Sequence, residues 1–268
     1  MPNLEKMVDD YYSFRKDKEI IDCNMWWAPL DTKNFVHFDT FSDMVSEIKK
    51  YGITSGIITD RKTINFDWNE GNERVKENIK NLDGFYGAMT VAPDILFKEG
   101  GEEYINSLIK SKFVCARMFP KGFEHSMKEY VIGDLLKILE KNNIPLMVWH
   151  DQVSFDEMDE ILKNHPKLNL IVEGHDVKYL YYVRNYMSLL KKYDNFYMES
   201  HNLVLGDEFE IIWKLTGRMN VLYGSYYPYG NPNFGLYRIF SADIPDSAKE
   251  LILNGNAKKL FFGKEASK

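Results

Sequence analysis

The chain alternates short apolar runs with longer amphipathic stretches eight times, and few folds accommodate that rhythm. The runs are Glu19–Met25, Ile53–Thr59, Gly84–Val91, Phe113–Met118, Ile144–His150, Leu168–Gly174, Asn195–Ser200 and Met219–Ser225. Their length and continuous apolar character suit strands covered on both faces. Helical spacing of apolar residues predicts helices near Thr40–Tyr51, Trp68–Leu82, Glu102–Ser111, Lys128–Asn143, Ser154–Asn164, Val177–Tyr193, Asp207–Thr216 and Asp246–Leu260. Asp246 is placed to cap the last of these, and Asn142, Asn143 and Gly217 stand where helices must stop. Eightfold strand–helix alternation predicts an α/β fold, a single (β/α)8 TIM barrel over residues 1–268, with residues 1–18 as a helical extension. An open doubly wound sheet is the rival. It usually has fewer strands and a glycine-rich first turn, and neither G-x-G-x-x-G nor a P-loop follows any predicted strand.

Charge and cysteine usage narrow the partners. There are 34 Lys+Arg against 40 Asp+Glu, a formal net charge of −6, so no basic field invites nucleic acid or an anionic membrane. No apolar run approaches the ~18 residues of a membrane span. Met1–Glu19 is charged throughout, without the apolar segment of a signal peptide. Cys23 and Cys115 both fall inside predicted strands and far apart in sequence, which excludes a disulfide scaffold and makes a reducing cytoplasm the expected compartment. By alternation Cys23 is expected to face opposite to Asn24. The expected partner is a small-molecule ligand; a homo-oligomer is left open.

Barrels of this kind gather their chemistry at the C-terminal ends of the strands. There the sequence places Asn24 and Trp26 (first strand), Asp60 and Arg61 (second), Arg117 (fourth), His150 (fifth), His175 (sixth), Glu199 and His201 (seventh) and Tyr226 (eighth). His37 and His125 fall in loops on the same rim, and His165 on the opposite one. Three histidines ending consecutive strands suit metal binding or proton transfer near neutral pH, although loop histidines are also commonly structural. Arg117 among imidazoles suits a small carboxylate or phosphate, its alternative being a salt bridge inside the barrel. Trp26 and Tyr226 offer flat faces and two donors, or simply bulk.

These segments resemble the amidohydrolase superfamily, in its amidohydrolase-related branch of metal-dependent hydrolases and decarboxylases. The resemblance runs from Phe113 to Phe262. It rests on Ala116–Pro120 as the fourth-strand motif, Ile144–His150 (IPLMVWH) and Asn164–His175 (NHPKLNLIVEGH) as strands ending in histidine, Val221–Pro228 (VLYGSYYP) where the family has G-S-D-Y-P, and Leu253–Phe262 as the last helix. It implies a divalent metal held by two first-strand histidines of a D-x-H-x-H motif, by the histidines at 150 and 175, and by an eighth-strand aspartate.

This chain departs from that pattern. Asp22-Cys23-Asn24-Met25-Trp26 stands at the first-strand motif, and Tyr226 at the aspartate. Only His150 and His175 remain as metal ligands. An indole is donor-only and cannot ligate, and a tyrosine keeps its proton to about pH 10. No cofactor is therefore expected, with a weakly bound divalent metal such as zinc left open, or a replacement site using His201 with Glu199 or Asp176. The expected function is a hydrolase of a small anionic or cyclic ester- or amide-type metabolite, with His150, His175 and His201 catalytic and Asn24, Trp26, Arg61, Arg117 and Tyr226 binding substrate. The alternatives are a non-catalytic small-molecule binder and a decarboxylase of an aromatic acid.

Overall fold

Eight parallel strands pair in chain order: β1 Ile21–Trp27, β2 Ser55–Asp60, β3 Phe85–Thr90, β4 Phe113–Met118, β5 Leu146–Trp149, β6 Leu170–Glu173, β7 Phe196–Glu199 and β8 Val221–Leu222. The two edges meet. Cys23 N donates to Tyr223 O at 2.9 Å and Trp26 N to Tyr227 O at 2.8 Å, which closes the sheet into a (β/α)8 barrel. The structure is a computed structural model, and it describes residues 4–16, 18–27, 38–65, 67–175 and 179–263. His37 and Asp176 lie outside the described residues.

Helix α1 (Leu4–Lys16) precedes the barrel. The connections carry α2 (Phe41–Lys49), the short α3 (Lys62–Asn65), α4 (Trp68–Ile79), α5 (Gly101–Lys110), α6 (Glu129–Lys141), α7 (Phe155–Asn164), α8 (Val183–Lys192), α9 (Glu208–Thr216), α10 (Pro232–Ser241) and α11 (Asp246–Glu250). Local chemistry sets several of these ends. Thr40 with Asp43 and Ser154 with Glu157 form reciprocal capping boxes at α2 and α7, satisfying backbone N–H groups that the first turn leaves free. Gly217 ends α9 at φ 66°, and Asn143 follows α6 at φ 54°, the left-handed backbone such stops require. The longer crossover helices turn apolar residues into the core around the strands, whereas α1 packs on α10 through Tyr11. No helix among the described residues is long and apolar enough to cross a membrane.

Four sequence expectations change. Helix α10 has no counterpart among them: its start, Tyr-Gly-Asn-Pro, reads as loop, yet Asn231 caps the Asn233 N–H and Pro232 fits the first turn, where no N–H is needed. Asp246 is the first residue of α11 and makes no capping bond; Pro245 is its N-cap. Beyond Glu250 the chain continues as two π-helical stretches, Leu251–Gly255 and Lys258–Phe262. Strand β8 is two residues long: beyond it the Gly224 and Ser225 N–H groups go to the side chains of Ser200 and Asp22, at 3.2 and 3.0 Å, and β1 is met only by separate backbone bonds.

The barrel interior has two layers. The lower is apolar: Ile21, Cys23, Ile57, Ala88, Cys115, Met147, Ile171, Tyr197 and Leu222, closed at one end by Ala257, Leu260 and Phe261. Cys23 thus faces inward, against the expectation from simple alternation. Asp22 pairs with Gly56 and Met25 with Ile58, so β1 holds one residue more than β2 between these pairs, and the bulge lets Cys23 and Asn24 both serve the interior. Two residues further along strands β2 to β7, pleat parity puts Thr59, Thr90, Arg117, Trp149, Glu173 and Glu199 on the same inward face, all buried. That upper layer is polar.

Two expectations follow from these layers. Asp22 is wholly buried, and burial lifts its carboxyl to about 7 despite bonds from Ser225 and the Asn24 N–H, with the Glu199 charge adding to the rise. A carboxyl raised in the fold stabilises it fully below about 3.8, and that contribution is lost as pH rises toward about 7. Asp22→Asn, which keeps an oxygen acceptor and gains a donor for Ser225, should flatten the melting-temperature profile between pH 4 and 7; parallel profiles for the two proteins would refute this. Both thiols are free and buried, and burial raises their pKa values, that of Cys115 to about 12. A thiol reagent should therefore find two groups only after unfolding.

Candidate functional site

The centre of the upper layer is a buried ion pair. Arg117, 1% exposed, sends NH1 to Glu173 Oε2 and NH2 to Asn24 Oδ1 at 2.8 Å, while Glu173 is fully buried. Asn24 is also wholly buried and accepts a second bond, from Trp26 Nε1 at 2.9 Å. The Trp26 ring lies under the guanidinium, 4.6 Å from centroid to cation. One strand further round, Glu199 is bound by both ends of a single residue: its Oε1 accepts the His201 N–H at 2.8 Å, and its Oε2 meets His201 Nδ1. Gly224 makes room for this carboxylate, since a Cβ there would stand 2.1 Å from Glu199 Oε1.

Burial alone would lower the pKa of His201. The charge of Glu199 and its hydrogen bond more than offset that, and the ring is raised above its ordinary value. With Nδ1 facing Glu199, Nε2 has no partner among the described residues. Tyr226 lies flat on the His201 ring, centroids 4.6 Å apart at 8°. Its own backbone is left-handed, φ 57°, a strained conformation for a tyrosine. Burial and the nearby Glu173 charge keep the Tyr226 phenol well above its usual range, although Arg61 partly counters them.

Arg61 completes the rim. Its NH1 is 3.5 Å from Tyr226 Oη and its cation lies over Trp26 and Tyr229, 5.8 and 5.3 Å from the ring centroids. It is half-buried, and among the described residues no carboxylate pairs with it. Trp26, Phe119 and Trp149 form an aromatic wall beside these groups.

The expected residues therefore separate. The structure brings Asn24, Trp26, Arg61, Arg117, His201 and Tyr226 to one mouth. His150 is placed elsewhere: its ring packs on Tyr179 and Tyr182, centroids 4.9 and 5.6 Å away, and its Nδ1 lies 3.3 Å from the Glu173 carbonyl. It borders a cleft of ≈ 800 Å³ shared with Lys121, Asp151 and Tyr182. His175 lies over the aromatic wall, stacked on Trp149 at 3.6 Å with Nδ1 3.2 Å from Asp151. Parity explains the separation. Trp149 takes the inward position at the end of β5, so His150 follows on the outer side, as Val148 does.

Sequence reasoning passed over Glu173. The signal was present: a lone charged residue ends the apolar strand Leu170–Glu173, two positions after inward-facing Ile171. Five buried polar atoms here have no partner among the described residues: Thr59 Oγ1, Thr90 Oγ1, Arg117 Nε, Trp149 Nε1 and Glu173 Oε1. Buried polar groups left this way call for water or a polar ligand.

Glu173, Glu199 and His201 also offer ligand atoms within 4.8 Å of one another, a donor set a divalent metal could use by distance. They are not the expected pair, His150 and His175. By charge the fit fails. Arg117 already neutralises Glu173, and Glu199 has both oxygens committed to His201.

Comparison with known proteins places the barrel. Among solved structures it is similar to a candidate amidohydrolase from Staphylococcus aureus (15% identity, TM-score 0.71, covering 91% of this chain and 99% of that one). It is similar to 2,6-dihydroxybenzoate decarboxylase from Rhizobium (13%, 0.68, 91% and 99%). A third is 5-carboxyvanillate decarboxylase from Novosphingobium aromaticivorans, complexed with manganese and 4-hydroxy-3-methoxy-5-nitrobenzoic acid (14%, 0.67, 92% and 97%). At such identities these likenesses establish the fold. No curated protein matches the chain in sequence. The sequence profile described as amidohydrolase matches residues 41–263, from α2 to the end of the last helical segment. Profile, closed eight-stranded barrel and a polar mouth at the strand ends agree, and the chain belongs to the amidohydrolase family.

Proposed function

We propose that this protein is an acid–base enzyme that removes carbon dioxide from a small planar aromatic acid, with His201 as the proton donor. One observation carries the reading: the Glu199–His201 pair sits at an aromatic mouth beside Arg61, and among the described residues Nε2 of His201 has no partner and Arg61 has no carboxylate. Glu199 favours the charged imidazole, and an imidazolium donates a proton rather than taking one from water. Arg61 is available to hold the anionic groups of the acid, while the partly exposed Tyr226 meets its ring. The ring carbon bearing the carboxylate takes the Nε2 proton with an electron pair from the ring. The bond to the carboxylate then breaks, its electrons restore the aromatic ring, and carbon dioxide leaves. Glu199 fixes the orientation of His201 and holds its charge until transfer. Asn24 and Arg117 are too buried to lead in binding; they hold Trp26 and Glu173 in place. The decarboxylases among the structural neighbours support this class of substrate.

A second reading, hydrolysis of a cyclic or activated ester, is favoured by the amidohydrolase profile. It needs neutral His201 as a base toward water, so the two readings differ in sign with pH.

Carbon dioxide release from 2,6-dihydroxybenzoate and related hydroxybenzoates, run beside a lactone and ester panel, tests both. For a proton donor, kcat/KM should fall as pH rises through an ionisation above the usual imidazole value of about 6.5. His201→Gln should cost about 10²–10⁴-fold in rate in protein that still folds, with a lower melting temperature because buried Glu199 loses its counter-charge. Turnover of the ester panel with a rate rising through that ionisation would establish hydrolysis instead. Folded protein inactive on both panels would defeat the enzyme reading and leave a binding protein.

A further inference from the structure

The family holds a divalent ion at the barrel mouth, yet here a side-chain cation reaches the same carboxylates. We infer that the guanidinium of Arg117 is the resident cation of this barrel, and that it keeps a divalent metal out of the Glu173–Glu199–His201 cluster. The geometry is specific. Arg117 comes from β4 and crosses the interior to Glu173 on β6, passing over β5, whose inward residue at this height is Trp149. Asn24 fixes the other end of the guanidinium, accepting from NH2 at 2.8 Å, and Asn24 occupies a first-strand position where the family pattern has a metal-binding histidine. Trp26, at the second such position, stacks beneath the cation. The residues that replaced the two first-strand ligands are thus the ones that hold Arg117.

Charge counting gives the same result. With Arg117 and His201 charged, the four groups Arg117, Glu173, Glu199 and His201 sum to zero, and all are buried or nearly so. A divalent ion ligated there would displace the His201 proton and still leave one uncompensated positive charge among buried groups, which is unfavourable. Three of the four carboxylate oxygens already meet Arg117 or His201, so a divalent ion would compete with those contacts for its ligands. Removing the guanidinium reverses the balance. Two carboxylates and one imidazole would then face each other within 4.8 Å with a net negative charge, which is a cation site. The inference holds whichever reaction the site performs, because its readout is metal affinity.

The test is metal uptake by the full chain. Wild-type protein, Arg117→Lys and Arg117→Met are dialysed against chelator and then titrated with Mn²⁺ and Zn²⁺, with binding followed by calorimetry and melting temperature. Wild-type protein and Arg117→Lys should take up less than about a tenth of an equivalent and show no thermal shift. Arg117→Met should melt lower without metal, bind about one equivalent at least 100-fold more tightly than wild type, and recover melting temperature with it. The double variant Arg117→Met/Glu173→Gln should fold without the buried charge and lose that binding. Stoichiometric metal in wild-type protein that survives dialysis would overturn the inference, and this arm stands even if Arg117→Met is insoluble. A folded Arg117→Met that binds metal no better than wild type would overturn it as well.

Discussion

Two opposite charges buried in the upper layer of the barrel govern the organisation of the mouth. Neither Arg117 nor Glu173 could be buried alone, since an isolated ion in a low-dielectric interior costs several kcal/mol even after relaxation. Held together they position everything around them: Asn24 against NH2, Trp26 beneath the guanidinium, and one oxygen of Glu173 turned free toward Glu199 and His201. The pair also stiffens the closure of the barrel. It ties β4 to β6, and through Asn24 to β1, near the seam where Asp22 and Ser225 join the first and last strands.

The division of the interior into an apolar and a polar layer separates stability from chemistry. The lower layer is aliphatic and aromatic apart from two inert thiols, and it carries the packing. The upper layer carries charge, hydroxyls and unpartnered polar atoms that only a ligand or water can satisfy. Its polar groups weaken the core where they stand, and sites that sacrifice packing in this way are commonly functional. The strained left-handed backbone of Tyr226, stacked on His201, belongs to the same pattern.

Family membership and the altered ligand set are compatible. A barrel mouth needs positive charge to attract and orient an acid, and that charge can come from a metal or from arginine. Arginine supplies a permanent cation with fixed directions, so it can be locked into a network, as Arg117 is, or left at the rim, as Arg61 is. A guanidinium holds a substrate anion by hydrogen bonds but leaves no open coordination position for activating water. In the reading proposed above, that difference favours proton transfer over activation of water.

Short continuous apolar runs and helical patterning were enough to establish eight strands, seven of the crossover helices and the barrel, because both are local properties of the chain. Strand ends were also legible, and with them His201, Arg61 and Tyr226. Register was not. A one-residue bulge in β1 turns Cys23 and Asn24 to the same interior, and Trp149 takes the inward place that a pattern ending in histidine suggests for His150. Helix α10 was hidden for a related reason, since a proline and glycines read as loop until the fold supplies a surface for the helix to pack on. The sequence by itself determined which residues reach the rim. Only the tertiary structure decided which of them share an interior, because inward and outward facing depend on pairing across strands far apart in the chain, and because a charge such as Glu173 acquires its meaning from the arginine placed 56 positions away.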